Sequence, residues 1–205
     1  MPAPAIDEVS SPMRGEPQAP RRRLFFALWP GAVRQTELVR AAQGALHAVR
    51  GGRRTDPASL HLTLAFLGEV LESDLDRVRA CALRASAASA AAPPGLEVTL
   101  DGLEYWARSQ VLCATSSRPS ADAAAFAEVL KAALRGVGLS PDLKPFRAHV
   151  TLVRQLSRRA AGRKDALRVL PPVSWIFPDF VLVESRPGPR GSLYSILESW
   201  PLFRA

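Results

Sequence analysis

Two of the three histidines in this chain open the same four-residue phrase, His61-Leu62-Thr63-Leu64 and His149-Val150-Thr151-Leu152. Threonine is scarce in the sequence, so this repeat constrains the fold more than any other feature. In a β-strand, residues i and i+2 share a face. His61 and Thr63 therefore project together while Leu62 and Leu64 enter a core, and His149, Thr151, Val150 and Leu152 divide the same way. Each phrase also follows a helical pattern in its own half of the chain. Two halves packed about a pseudo-two-fold axis would set the motif strands side by side. Between them would lie a cleft with an imidazole on each flank and two hydroxyls on its floor.

The rest of the pattern fits α+β architecture: two pseudo-symmetric halves with antiparallel sheets forming a central cleft, and helices outside. Residues 1–20, rich in Pro, Ala and Ser, read as a disordered tail before one bilobal domain at 21–205. A strand at 22–29 leads to a helix opened by Pro30, with Leu38, Ala42, Ala45, Leu46 and Val49 on one face and Gly51 and Gly52 as its stop. A strand at 60–67 closes at Gly68. Ser73 with Asp76 forms a capping-box pattern for a second helix running to Ala90. After Pro93, Pro94 and Gly95, strands follow around 96–100 and 111–115, joined by a turn at 107–109. A third helix begins near Pro119 and packs through Phe126, Val129, Leu130, Ala133 and Leu134. A strand at 148–153, a basic connection at 157–170 and strands near 173–177, 180–184 and 193–198 complete the chain.

Composition narrows the setting. A hydrophobic content of 47% in 205 residues suffices for a buried core, and no apolar run approaches a membrane span. The apolar run 24–29 is cut short by Pro30, Gly31 and Arg34, unlike a signal peptide. Cys81 and Cys113 form no metal-type pair and no disulfide framework, which fits a reducing cytoplasm. The net charge of +8 fits a polyanionic partner or equally a solvated arginine-rich surface. The arginines between Arg158 and Arg168 read as such a solvated face.

Two imidazoles titrating near neutrality can act as one general base and one general acid. Two hydroxyls can donate to non-bridging phosphate oxygens. In-line displacement at phosphorus needs a base on the attacking side and an acid on the leaving side, and opposed histidines supply both. Arg154, three residues after Thr151, could stabilise a pentacoordinate transition state. Two histidines without nearby carboxylate or cysteine partners are too few for a metal site, so no metal is expected. His47, near a helix C-terminus, reads as structural.

With both phrases in hand, the chain resembles the 2H phosphoesterases, named for two His-x-Thr/Ser-x motifs. More narrowly it is similar to the bacterial and archaeal RNA 2′,3′-cyclic phosphodiesterases, historically called 2′-5′ RNA ligases. Arg23-Leu24-Phe25-Phe26-Ala27-Leu28 resembles the family's opening strand. The segment Leu60-His61-Leu62-Thr63-Leu64-Ala65-Phe66-Leu67-Gly68-Glu69-Val70 resembles its first signature, and Phe146-Arg147-Ala148-His149-Val150-Thr151-Leu152-Val153-Arg154 its second. Leu182-Val183-Glu184-Ser185, Gly191, Tyr194 and Trp200-Pro201-Leu202 resemble the closing strands.

The resemblance implies hydrolysis of a 2′,3′-cyclic phosphate to a 2′-phosphomonoester, and reversible 2′-5′ joining without a nucleotide cofactor. It implies that His61 is the proton donor to the leaving 3′-oxygen and His149 the proton acceptor that activates water. Thr63, Thr151 and Arg154 would hold the phosphate, and Phe25 would contact a base. The implied partner is RNA with 2′,3′-cyclic phosphate ends or short oligonucleotides, tRNA-derived ones included, met by a monomer off the membrane. Two positions depart from the family pattern. Ala148 stands where proline often precedes the second histidine, and Arg54 stands where an aromatic residue often precedes the first motif. A cyclic phosphate on a small nucleotide or ADP-ribose derivative, or a non-catalytic module that only holds RNA ends, are the alternative readings.

Overall fold

The computed structural model describes residues 19–89, 95–159, 169–189 and 191–202. In chain order it places β1 (Arg21–Leu28), α1 (Ala32–Ala41), α2 (Gln43–Ala48), β2 (Arg53–Arg54), β3 (Leu62–Leu71), α3 (Leu75–Ala88) and β4 (Leu96–Trp106). Then come β5 (Val111–Thr115), α4 (Ala121–Arg135), β6 (His149–Arg154), β7 (Val169–Phe177), β8 (Asp179–Gly188) and β9 (Gly191–Pro201). The strands form two antiparallel sheets, ordered β3-β1-β8-β9 and β2-β6-β5-β4-β7. Each sheet carries one motif strand, and β3 and β6 approach one another between the sheets.

The expected internal repeat is visible in the connections. In one half β1 runs through α1 and α2 to β3, and β3 pairs antiparallel with β1. In the other, β5 runs through α4 to β6, which pairs antiparallel with β5. The first sheet splits cleanly by alternation. Leu24, Phe26, Leu28, Leu62 and Leu64 face the main core, whereas Phe25, Ala27, Val181 and Val183 form a smaller cluster on the opposite, cleft-facing side. Burying each large apolar side chain contributes about 1.5–3 kcal/mol, so the leucine and phenylalanine faces fix strand register strongly. α1 packs on β7, and α3 packs on α4 and β9, where the Cys81 Sγ lies 3.3 Å from the Ala133 carbonyl. Both cysteines are buried and free.

Several local expectations need correction. The first helix starts at Ala32 rather than Pro30, and a turn at Ala42 divides it into α1 and α2. Its apolar face survives the break, with Leu38, Ala42, Ala45 and Leu46 all buried. Gly68 does not end β3. It sits inside the strand at φ +69°, beside a bulge against β1, and the strand continues to Leu71. At this bulge the backbone enters the left-handed region, and glycine does so without strain. The Ser73–Asp76 capping box does not form. A 3-10 turn at Glu72–Asp74 continues the helical winding upstream of α3, and Asp76 bonds Arg79 instead. Helix α3 ends at Ala88; Ala90 lies outside the described residues. Val129 points to solvent, while Lys131 on the same helix is buried and donates to the Lys144 carbonyl, with Glu128 at 3.7 Å. β4 and β9 run longer than their alternating cores, since hairpin partners extend the ladder past them. The tail at 1–18, and 160–168 of the basic connection, lie outside the described residues.

Candidate active site

His61 is the residue just before β3, and His149 opens β6. Leu62, Leu64, Val150 and Leu152 are buried, which turns His61, Thr63, His149 and Thr151 to the other face. All four line one cavity of about 170 Å³ between the sheets, together with Thr55, Ser59 and Arg154. Every one of these side chains ends in a polar group able to donate a hydrogen bond to an anion.

The two imidazoles are anchored identically. His61 Nδ1 lies 2.7 Å from the carbonyl of Ser59, and His149 Nδ1 lies 2.8 Å from that of Arg147. A carbonyl only accepts, so each Nδ1 carries the hydrogen. Nε2 is left as the proton-exchanging nitrogen of both rings. The anchor sits two residues before each histidine, so it belongs to the repeated backbone rather than to a variable side chain.

Their surroundings differ. The His61 ring stacks on Trp29 with centroids 5.0 Å apart and planes 3° from parallel. Phe25 and Tyr194 close in at 4.9 and 5.2 Å. This burial pushes His61 down to about 4, only partly offset by the Ser59 carbonyl, with the charge of Arg154 lowering it further. His149 touches one ring, Trp106, at 4.6 Å. Burial lowers its pKa too, by less, aided by the Arg147 and Arg154 charges and opposed by the Arg147 carbonyl. Arg147 is exposed, pairs with Glu104 and lies over Trp106 at 5.3 Å. Glu104 also accepts from Trp106 Nε1 at 3.0 Å.

On the floor, Thr151 Oγ1 lies 3.8 Å from Cys113 Sγ on the paired strand β5. Burial pushes the Cys113 thiol up to about 11, so it stays protonated at neutral pH. The Thr55 hydroxyl is buried without a hydrogen-bond partner among the described residues. Arg54 departs from the cavity: its Nη2 donates to the Leu46 carbonyl at 2.9 Å. A second cavity of about 210 Å³ shares His61, Thr63 and Arg154 with the first. Phe25 lines it, although the ring is 3% exposed and packs against His61 and Tyr194.

Histidine and threonine spacing points to His61, Thr63, His149 and Thr151, the charge of Arg154 adds a fifth candidate, and the structure brings all five together. Thr55, Ser59, Trp29, Trp106 and Tyr194 escape sequence reasoning. Of these, Ser59 leaves a signal in its spacing, its offset from His61 matching that of Arg147 from His149, and Tyr194 leaves one only in the resemblance of the closing strands. Among the described residues, no group of three or more His, Cys, Asp and Glu side chains is placed to share a metal ion. Among them, too, no helix is long and apolar enough to cross a membrane.

A family model described as the 2′-5′ RNA ligase superfamily matches residues 30–189, a span that includes both motifs and the whole cavity floor. The chain belongs to the 2′-5′ RNA ligase superfamily. Within the superfamily it is 30% identical over 191 residues to the RNA 2′,3′-cyclic phosphodiesterase of Escherichia coli, covering 91% of this chain and 98% of that protein. It is also 30% identical over 187 residues to the RNA 2′,3′-cyclic phosphodiesterase of Thermus thermophilus, covering 88% and 90%. The crystal structure of E. coli LigT complexed with 3′-AMP superposes with a TM-score of 0.71 at 27% identity, over 90% of this chain and all of that one.

Proposed function

We propose that this chain hydrolyses 2′,3′-cyclic phosphate ends of RNA to 2′-phosphomonoesters by acid–base catalysis between His61 and His149. The observation that carries this reading is the pair of identically anchored imidazoles lining one small polar cavity. The names of the E. coli and Thermus relatives support the substrate class.

In the proposed step His149 Nε2 removes a proton from water as the water oxygen attacks phosphorus. The Thr63, Thr151 and Thr55 hydroxyls and the Arg154 guanidinium hold the equatorial oxygens of the pentacoordinate transition state. As the bond from phosphorus to the 3′-oxygen breaks, protonated His61 gives its Nε2 proton to that oxygen. The 2′-ester remains. If the 5′-hydroxyl of a second strand replaces water, the same step forms a 2′-5′ linkage, and it reverses without a nucleotide cofactor. One chain supplies both histidines, so a monomer suffices.

The unequal rings fit these roles. A histidine held to about 4 is a strong acid once protonated, which suits His61. His149, lowered less, is the better base. Before substrate arrives both are neutral near pH 7, and the incoming phosphate anion favours protonation of one of them. Binding of inorganic phosphate near pH 7 is therefore expected to take up protons, measurable by calorimetry in buffers of different ionisation enthalpy.

The test is hydrolysis of an oligonucleotide 2′,3′-cyclic phosphate with EDTA present, resolving 2′- from 3′-phosphate product. Formation of the 2′-phosphate is expected. No turnover, or turnover abolished by EDTA, contradicts the proposal.

A further inference from the structure

We infer that the second cavity takes the terminal nucleoside, and that Arg23 at its outer end binds the phosphodiester joining that nucleoside to the one before it. The protein would then select oligonucleotide ends over cyclic mononucleotides. This rests on the hydrolase reading above and names its substrate class.

The two cavities are continuous, because His61, Thr63 and Arg154 line both. Apart from Arg154, the second is lined by the first sheet and His61 beside it, the side where the leaving 3′-oxygen and its ribose belong. Its walls mix aromatic surface from Phe66 and Tyr194 with the hydroxyls of Ser185 and Ser192, the combination that a nucleoside's faces and edges need.

Arg23 gives this cavity a second anion site. On β1, Arg23 and Phe25 share the cleft-facing side, so Arg23 stands two residues, roughly 7 Å, beyond Phe25. Phe25 in turn lies against His61. That distance is about one nucleotide step out from the phosphate cavity. The Arg23 guanidinium sits 5.0 Å from the Phe66 ring centroid, which holds the stem while the N–H groups at its edge stay available. Arg23 is exposed and makes no ion pair or hydrogen bond among the described residues. Glu69 faces it across the ladder without forming an ion pair. Its neighbour Arg22, on the opposite side of the strand, is engaged by Glu72 at 2.7 Å. A guanidinium steadied on a ring, unneutralised, at the mouth of a cavity that already begins at a phosphate site suits a second phosphate. A cyclic mononucleotide has no group to reach it.

The experiment compares kcat/KM for a dinucleotide ending in a 2′,3′-cyclic phosphate with that for the cyclic mononucleotide. Wild type is expected to prefer the dinucleotide by about ten- to thirtyfold, mainly through KM. Arg23→Ala should cut that preference to about threefold or less, and Arg23→Lys should keep part of it. A methylphosphonate in place of the linking phosphodiester should reproduce the Arg23→Ala result with wild-type protein, so the outcome does not depend on a variant's folding. The inference is overturned if the preference survives in Arg23→Ala, if the methylphosphonate serves as well as the phosphodiester, or if wild type turns over both substrates equally. Turnover of neither substrate overturns the hydrolase reading, and the inference with it.

Discussion

His61 and His149 begin the same phrase, sit before the same kind of strand and donate Nδ1–H to the carbonyl two residues upstream, yet they occupy unlike surroundings. Three aromatic rings, from Phe25, Trp29 and Tyr194, enclose the first. One ring and an exposed Arg147–Glu104 pair border the second. Duplicated backbone therefore supplies what both histidines share, the tautomer and the aim of Nε2. Residues outside the phrase supply what separates them, the ease of protonation. On the proposed acid–base reading, two equal groups would have no preferred direction of proton flow, and unequal burial would give them one.

The largest expected effect comes from deleting either imidazole. His61→Asn and His149→Asn should each lower kcat by about 10²–10⁴-fold on a cyclic-phosphate oligonucleotide. Wild-type turnover in one of them would reduce the pair to a single working histidine. Stability should also distinguish the rings. The unfolded chain protonates a histidine near 6.5, whereas folded His61 resists until about 4. Unfolding free energy should therefore fall as pH drops from 6.5 towards 4, by up to roughly 3 kcal/mol from His61. In His61→Asn, urea titrations across that range should show a flatter pH dependence; an unchanged slope would remove His61 as its source. Thr63→Val and Thr151→Val should each cost about tenfold in kcat/KM, and similar losses would show that the phosphate meets both halves alike. The smallest effect is expected for Trp29→Leu, which lets water reach His61 and raises its pKa towards 6.5 in an NMR titration. An upward shift of His149 instead would reverse the contrast between the two rings.

Much of this was legible in the sequence because it depends on periodicity. Alternation put Leu62 and Leu64 inside and His61 and Thr63 outside, and the repeat did the same at Val150 and Leu152. Arg154 lies three residues past Thr151, which in a regular strand is the opposite face; a bulge in β6 against β5 buries both Leu152 and Val153 and brings Arg154 round to the cavity. What escaped depends on pairings distant in the chain. Tyr194 reaches His61 only because β9 joins β8, β8 joins β1 and β1 joins β3. Trp106 meets His149 because β4 outruns its alternating core, and no local pattern announces that extension. Gly68 read as a strand end because a bulge glycine and a terminating glycine look alike without the partner strand. Lys131, inside the apolar face of α4, is tolerated because the Lys144 carbonyl accepts from it, a contact made across the following loop.

The division of labour between the two histidines is tested most directly with a cyclic phosphate whose 3′-oxygen is replaced by sulfur. A thiolate leaves without help from an acid. His61→Asn should regain most of its lost rate on this substrate, and His149→Asn should not. Rescue of His149→Asn with none of His61→Asn would contradict the assignment and exchange the two roles.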